Sequence, residues 1–204
     1  MTDENTTKPM REQIVDAALA GNLALLRDLA QRGAAMNEVT PGGDSLLEDV
    51  LTYLYDHQAA HRYAVVRTLL ELGADPNVLG EEKSSPLVPA MLNMDTEMLR
   101  ILLDAGADPN KAVGFMDCES FYDWAEFDYR YEMCDLHLPD TPTEDDKKDE
   151  DSWLSFLDKV AVKHNWRRPD HLFLLRMYGA KTRTEIKGIE QGSADTERQT
   201  DGVG

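Results

Sequence analysis

The sequence predicts an all-α fold, a helical solenoid of about four repeats, and three recurrences predict it. The string GADPN stands at Gly73–Asn77 and again at Gly106–Asn110, 33 residues later, with a weaker copy, GAAMN, at Gly33–Asn37 and a truncated one, GAK, at Gly179–Lys181. An apolar pair lies seven and four residues before each of these glycines: Leu26 and Leu29, Val66 and Leu69, Leu99 and Leu102, Leu172 and Leu175. Finally, SLLEDV (Ser45–Val50), SPLVPA (Ser85–Ala90) and SFYDWA (Ser120–Ala125) each open on a serine able to cap a helix N-terminus.

The elements follow in chain order. Residues 1–10 are expected to be a flexible lead. An i, i+3 apolar pair closing on a glycine is the inner stripe of a helix with its C-terminal stop. Each unit is therefore a capped helix, a short turn, a second helix, a glycine stop and a polar loop. The repeats run over about 11–40, 41–80, 81–113 and 114–184, giving one repeat domain over 11–186. Sixteen residues separate Ala17 from Gly33 and Ala90 from Gly106, but 23 separate Val50 from Gly73 and 54 separate Ala125 from Gly179. The excess places insertions at 53–62 and at 126–170. Within the larger one, Phe121–Cys134 reads as a lengthened first helix and Leu138–Asp151 as a polar acidic loop. Trp153–His164 reads as an amphipathic helix with Trp153, Phe156, Leu157, Val160 and Ala161 on one face, and a final helix starts at Pro169–Asp170. Residues 187–204, polar and glycine-rich, are expected to be a disordered tail.

These motifs resemble the ankyrin repeat, whose consensus carries T-P-L-H-x-A at the first helix and G-A-D-P-N or G-A-D-V-N after the second. The resemblance covers roughly residues 11–184, and Gly21–Asn22, between the first two helices, fits it. It implies a free monomer that binds other proteins rather than an enzyme, through finger loops and a concave row of first helices. Carried over position by position, the fingers are Glu38, Thr40, Leu79, Glu81, Glu82, Phe115 and Asp117. The concave side is Glu48, Asp49, Tyr53, Asp123, Trp124, Asp128 and Tyr131, while Phe121 and Phe127 are expected to pack inward to seat the insertion helix, an alternative that stays open for Trp124.

Charge narrows the partner. The 204 residues hold 21 Lys and Arg against 39 Asp and Glu, a net −18. Residues 116–151 carry fourteen acids and three bases, a net −11 that includes Asp145 and Asp146. So acidic a body repels nucleic-acid phosphate and attracts a basic protein. The expectation is a sequestering or inhibitory binder of a basic partner, such as an immunity protein that neutralises a cationic toxin. A scaffold joining two proteins is the alternative, and a small metal-dependent enzyme the third reading.

Little else points to chemistry. His57 and His61 form H-x-x-x-H, but no glutamate follows His57, so both are read as solvent-facing, with no metal site. No P-loop, G-x-S-x-G or G-x-G-x-x-G occurs, no cofactor is expected, and Cys118 and Cys134 are read as reduced thiols. No apolar h-region opens the sequence and no run suits a bilayer, so a cytoplasmic, membrane-free protein is expected.

Overall fold

The computed structural model of the chain describes residues 8–40, 43–80, 84–111 and 120–200, with side chains to residue 191. The fold is all-α: among the described residues there are ten helices and no strand beyond an isolated bridge between Val39 and Ser45. The chain divides into two units, Met1–Ala112 and Val113–Gly204, so three of the expected repeats fall in the first and the fourth in the second.

The first unit holds α1 (Met10–Leu19), α2 (Leu23–Gln31), α3 (Leu46–Asp56), α4 (Arg62–Glu71), α5 (Leu87–Leu92) and α6 (Thr96–Asp104). Each odd-numbered helix packs on the even-numbered helix that follows it. Successive odd helices also pack on one another, as do successive even ones, so the unit is two rows of three helices. Two of the three serines that the sequence marks cap helices, Ser45 and Ser120 accepting from Glu48 and Asp123 N–H, whereas α5 starts after Pro86 and Ser85 accepts instead from Leu87 N–H. Asn22 and Asp95 also cap, accepting from Leu25 and Met98 N–H.

Every G-A motif ends its helix identically. The Gly N–H donates to the carbonyl three residues back and the Ala N–H to the carbonyl five back: Gly73 to Leu70 and Ala74 to Leu69, Gly106 to Leu103 and Ala107 to Leu102, Gly179 to Arg176 and Ala180 to Leu175. This closure needs a left-handed residue, and Gly73 and Gly106 have φ of +96° and +93°. The leucine that receives the alanine N–H is also fully buried in each case, at Leu69, Leu102 and Leu175. The two halves of the recurring pattern are thus one structural unit.

The D and N of GADPN have separate tasks. Asp75 and Asp108 each accept from the N–H of the asparagine two residues on and hold their own loop. The asparagine reaches forward: Asn37 donates to Gly73 O and accepts from Asp75 N–H, and Asn77 does the same to Gly106 O and Asp108 N–H at 2.8 Å each. The first loop is therefore stitched to the second, and the second to the third, by two hydrogen bonds each.

The insertion expected at 53–62 lengthens α3 and forms a turn that is pinned on both sides. Asp95, the cap of α6, accepts from the Tyr55 and Tyr63 hydroxyls and from Arg62 Nε at 3.0–3.1 Å. His61 places its ring against Gly21, where an added Cβ would lie 2.9 Å from His61 Cγ, and its Nε2 meets Ala18 O at 3.0 Å.

The second unit holds α7 (Phe121–Cys134), α8 (Glu150–His164), α9 (Asp170–Met177) and α10 (Arg183–Thr200), with α7 packed on α9. Its core is Phe121, Tyr122, Ala125 and Tyr129 with Leu154, Phe156, Leu157, Val160, Leu172 and Leu175. Phe127 departs from expectation and is 46% exposed. It stands two residues past the buried Ala125, about 200° around the helix and away from the core. The tail also departs: it is helical to Thr200 rather than disordered from residue 187. A capping box starts that helix, with Glu185 N–H donating to Thr182 Oγ1 and Thr182 N–H to Glu185 Oε2.

Candidate functional site

Residues expected to meet a partner divide into those that hold structure and those that face solvent. Glu48 belongs to the first group. It lies in the first turn of α3, yet only 3% of its surface is exposed, because the chain before α5 covers it. Its Oε1 accepts from the Ser84 hydroxyl, while Oε2 is buried without a hydrogen-bond partner among the described residues. Burial pushes its carboxyl up to about 7, the Ser84 hydrogen bond opposes the rise, and Asp44 and Asp49 add to it. Asp49 pairs with Arg11, whose guanidinium also donates to Glu38 O and Asp44 O. The Glu38 side chain is exposed, Thr40 and Leu79 are half-buried, and Tyr53 is 42% exposed. Asp49 and Tyr53 share a shallow hollow of about 180 Å3 with Lys8, Arg11, Glu12, Val15 and Asp16.

In the second unit, Asp123 completes a capping box with Ser120 and also accepts from Arg183 N–H at 2.8 Å, which joins the starts of α7 and α10. Asp146 accepts from the Thr143 N–H and hydroxyl, and these bonds hold its carboxyl below the usual range. Asp145 is exposed. The acidic loop is anchored to the end of α8 by Asp140, which meets Lys163 and His164. Trp124 and Asp128 are half-buried and Tyr131 is 53% exposed, all on α7. Glu81, Glu82, Phe115 and Asp117 lie outside the described residues, as does Cys118.

The structure also gathers residues that the motifs did not mark. An open cleft of about 620 Å3 in the second unit is lined by Asp123, Lys147, Asp149, Glu150, Trp153, Thr182, Thr184 and Glu185. Trp153 Nε1 donates to Glu126 Oε1 at 2.7 Å, and Glu126 also pairs with Arg130. Burial raises the Glu150 carboxyl, whereas the Arg176 hydrogen bond lowers that of Glu185. Below it, the Tyr122 hydroxyl is buried and strongly raised, by burial first and then by the Glu150 charge. Signals for these residues were present in the T-R-T-E capping box and in Asp149, which caps α8 through Ser152 N–H at 2.8 Å.

His57 and His61 do not share a helix. His57 ends α3, exposed, with Nδ1 on Tyr53 O, whereas His61 precedes α4 and is half-buried rather than solvent-facing. No three or more His, Cys, Asp or Glu side chains are grouped to hold a metal ion among the described residues. Cys134 is a free thiol, half-buried, raised by that burial. Among the described residues no helix is long and apolar enough to cross a membrane. No protein-family model and no curated protein matches the sequence.

Proposed function

We propose that the chain is a small ankyrin-type module that binds a basic protein and holds it inactive, in the manner of an immunity protein against a cationic toxin. The repeat assignment is supported by the recurring G-A closures and by the stitches, that of Asn77 spanning loops 33 residues apart and that of Asn37 loops 40 residues apart, one period plus the seven-residue insertion. One observation carries the binding reading: within the segment of net −11, Asp128, Glu132 and Asp145 make no hydrogen bond or ion pair among the described residues. Unpaired carboxylates so placed attract a cationic surface and speed its approach. The division into two units favours a second reading, an adaptor with one partner on each unit.

The test is capture on the immobilised full chain from a lysate of the source cells, at low and at high salt, with the retained proteins identified and titrated back. One basic protein bound one to one, released by salt and inactive in the complex, is the expected result. A partner that keeps its activity while a second binds establishes the adaptor instead. Retention only of neutral or acidic proteins, indifferent to salt, overturns the reading.

A further inference from the structure

Helix α7 has a second face. Its buried side is Phe121, Tyr122, Ala125 and Tyr129. On the other side Trp124, Phe127, Asp128 and Tyr131 stand at i, i+3, i+4 and i+7 and form one stripe. The Phe127 and Tyr131 rings are nearly parallel, at 9°, with centroids 6.4 Å apart, and are 46% and 53% exposed. Beside them Asp128 is half-buried and has no hydrogen bond or ion pair among the described residues. Burial, with the neighbouring Glu132 charge second, raises its carboxyl above the usual range. The one cation of α7, Arg130, is turned to Glu126 and to the Trp153 ring.

We propose that this stripe docks an arginine-bearing segment of a partner protein, which rests on the basic-partner reading above. The chemistry of the surface selects the occupant. A purely apolar helix would cover the two rings and leave the Asp128 carboxylate buried without a counter-ion, which is unfavourable. A second copy of this chain brings Asp128 and Glu132 against their own equivalents, on a body of net −18. A guanidinium satisfies both parts at once. It lies flat on an aromatic face and donates in pairs to a carboxylate, and it gives up its water more readily than an ammonium does.

The test uses the full chain and two labelled peptides, one alternating arginine with alanine and one alternating lysine with alanine, followed by fluorescence anisotropy. The arginine peptide is expected to bind about fivefold tighter than the lysine peptide. Asp128→Asn should weaken the arginine peptide about fivefold, and Phe127→Ala with Tyr131→Ala about tenfold, with unchanged far-ultraviolet circular dichroism. Glu97→Gln on α6, which removes the same charge from a side chain paired with Arg67, should leave the affinity unchanged. A fall in the Asp128 carboxyl pKa on adding peptide, followed by NMR, reports the ion pair directly.

Equal weakening by Asp128→Asn and Glu97→Gln would mean that net charge alone is read, which overturns the stripe while leaving a basic partner standing. So would an arginine peptide that fails to bind. If the two ring substitutions change the sedimentation of the free chain and not the peptide affinity, the face belongs to a second copy and the proposal is wrong. The basic-partner reading fails separately, when capture returns no basic protein.

Discussion

Glu48 gives the sharpest quantitative test of the fold. Its carboxyl is 3% exposed and held up to about 7 from an ordinary 4.5, so ionising it in place costs about 3 kcal/mol relative to the unfolded chain. Below pH 4.5 folded and unfolded chains both carry the proton, and the stability is complete. Between pH 4.5 and 7 the unfolded chain has released a proton that the folded chain still holds. Stability therefore falls as pH rises, and most of the roughly 3 kcal/mol is gone by pH 8. Glu48→Gln keeps an oxygen for the Ser84 hydroxyl and cannot ionise. It should match the parent within about 1 kcal/mol at pH 4.5 and exceed it by roughly 2–3 kcal/mol at pH 8. The assay is urea unfolding by far-ultraviolet circular dichroism across that range. Tryptophan emission serves as the control, because Trp124, Trp153 and Trp166 all lie in the second unit. A stability difference that is constant with pH, or a variant less stable at pH 8, refutes the argument.

Three further outcomes follow from other sites. His171 is 1% exposed against Tyr129 and is lowered by burial to about 4, so its contribution is complete above pH 6.5 and is lost as pH falls towards 4. His171→Leu should flatten the acid limb of second-unit stability by about 3 kcal/mol, read by tryptophan emission in urea. Asn77→Ala removes both stitches to the third loop and should cost about 1–3 kcal/mol of first-unit stability in urea unfolding. Gly21→Ala combines a left-handed φ of +64° with the His61 clash and should cost about 1–3 kcal/mol. In a His61→Ala background only the backbone part should remain, so the two changes should couple in a double-mutant cycle.

Much of the fold was legible because single residues carry two duties. A leucine four residues before a glycine is both core and acceptor for the closing alanine N–H, so its spacing cannot drift. The Ser45 and Ser120 caps were legible for the same local reason, while Pro86 takes the position before α5 where Ser85 was expected to cap. The candidate site was less legible, since exposure depends on residues distant in sequence. Glu48 sits where a first-helix side chain is expected to meet solvent, and Ser84, 36 residues on, closes over it. Phe127 is expected inside, seating the insertion helix, although its phase on the helix sets it outside. The helix beyond residue 182 escaped because a polar composition was weighed above a T-x-x-E start.

The acidic segment shows why net charge and available charge differ. Of the carboxylates between residues 120 and 151, Asp123 and Asp149 cap helices, Asp146 holds a turn and Glu150 is half-buried beside the Tyr122 hydroxyl. Glu126, Asp140, Glu144 and Asp151 face Arg130, Lys163, Lys147 and Arg176. Most of these groups hold local structure, whereas Glu144 and Asp151, with side chains 95% and 83% exposed, keep only loose surface pairs that a partner can exchange. The carboxylates left over, Asp128, Glu132, Asp135 and Asp145, make no such bond among the described residues, and the first two flank the exposed rings of α7. An association driven by the whole −18 would weaken steeply with salt, whereas one read by these few groups and two rings would weaken modestly and keep an apolar component. The salt dependence of binding therefore counts the carboxylates that recognise, apart from those that fold.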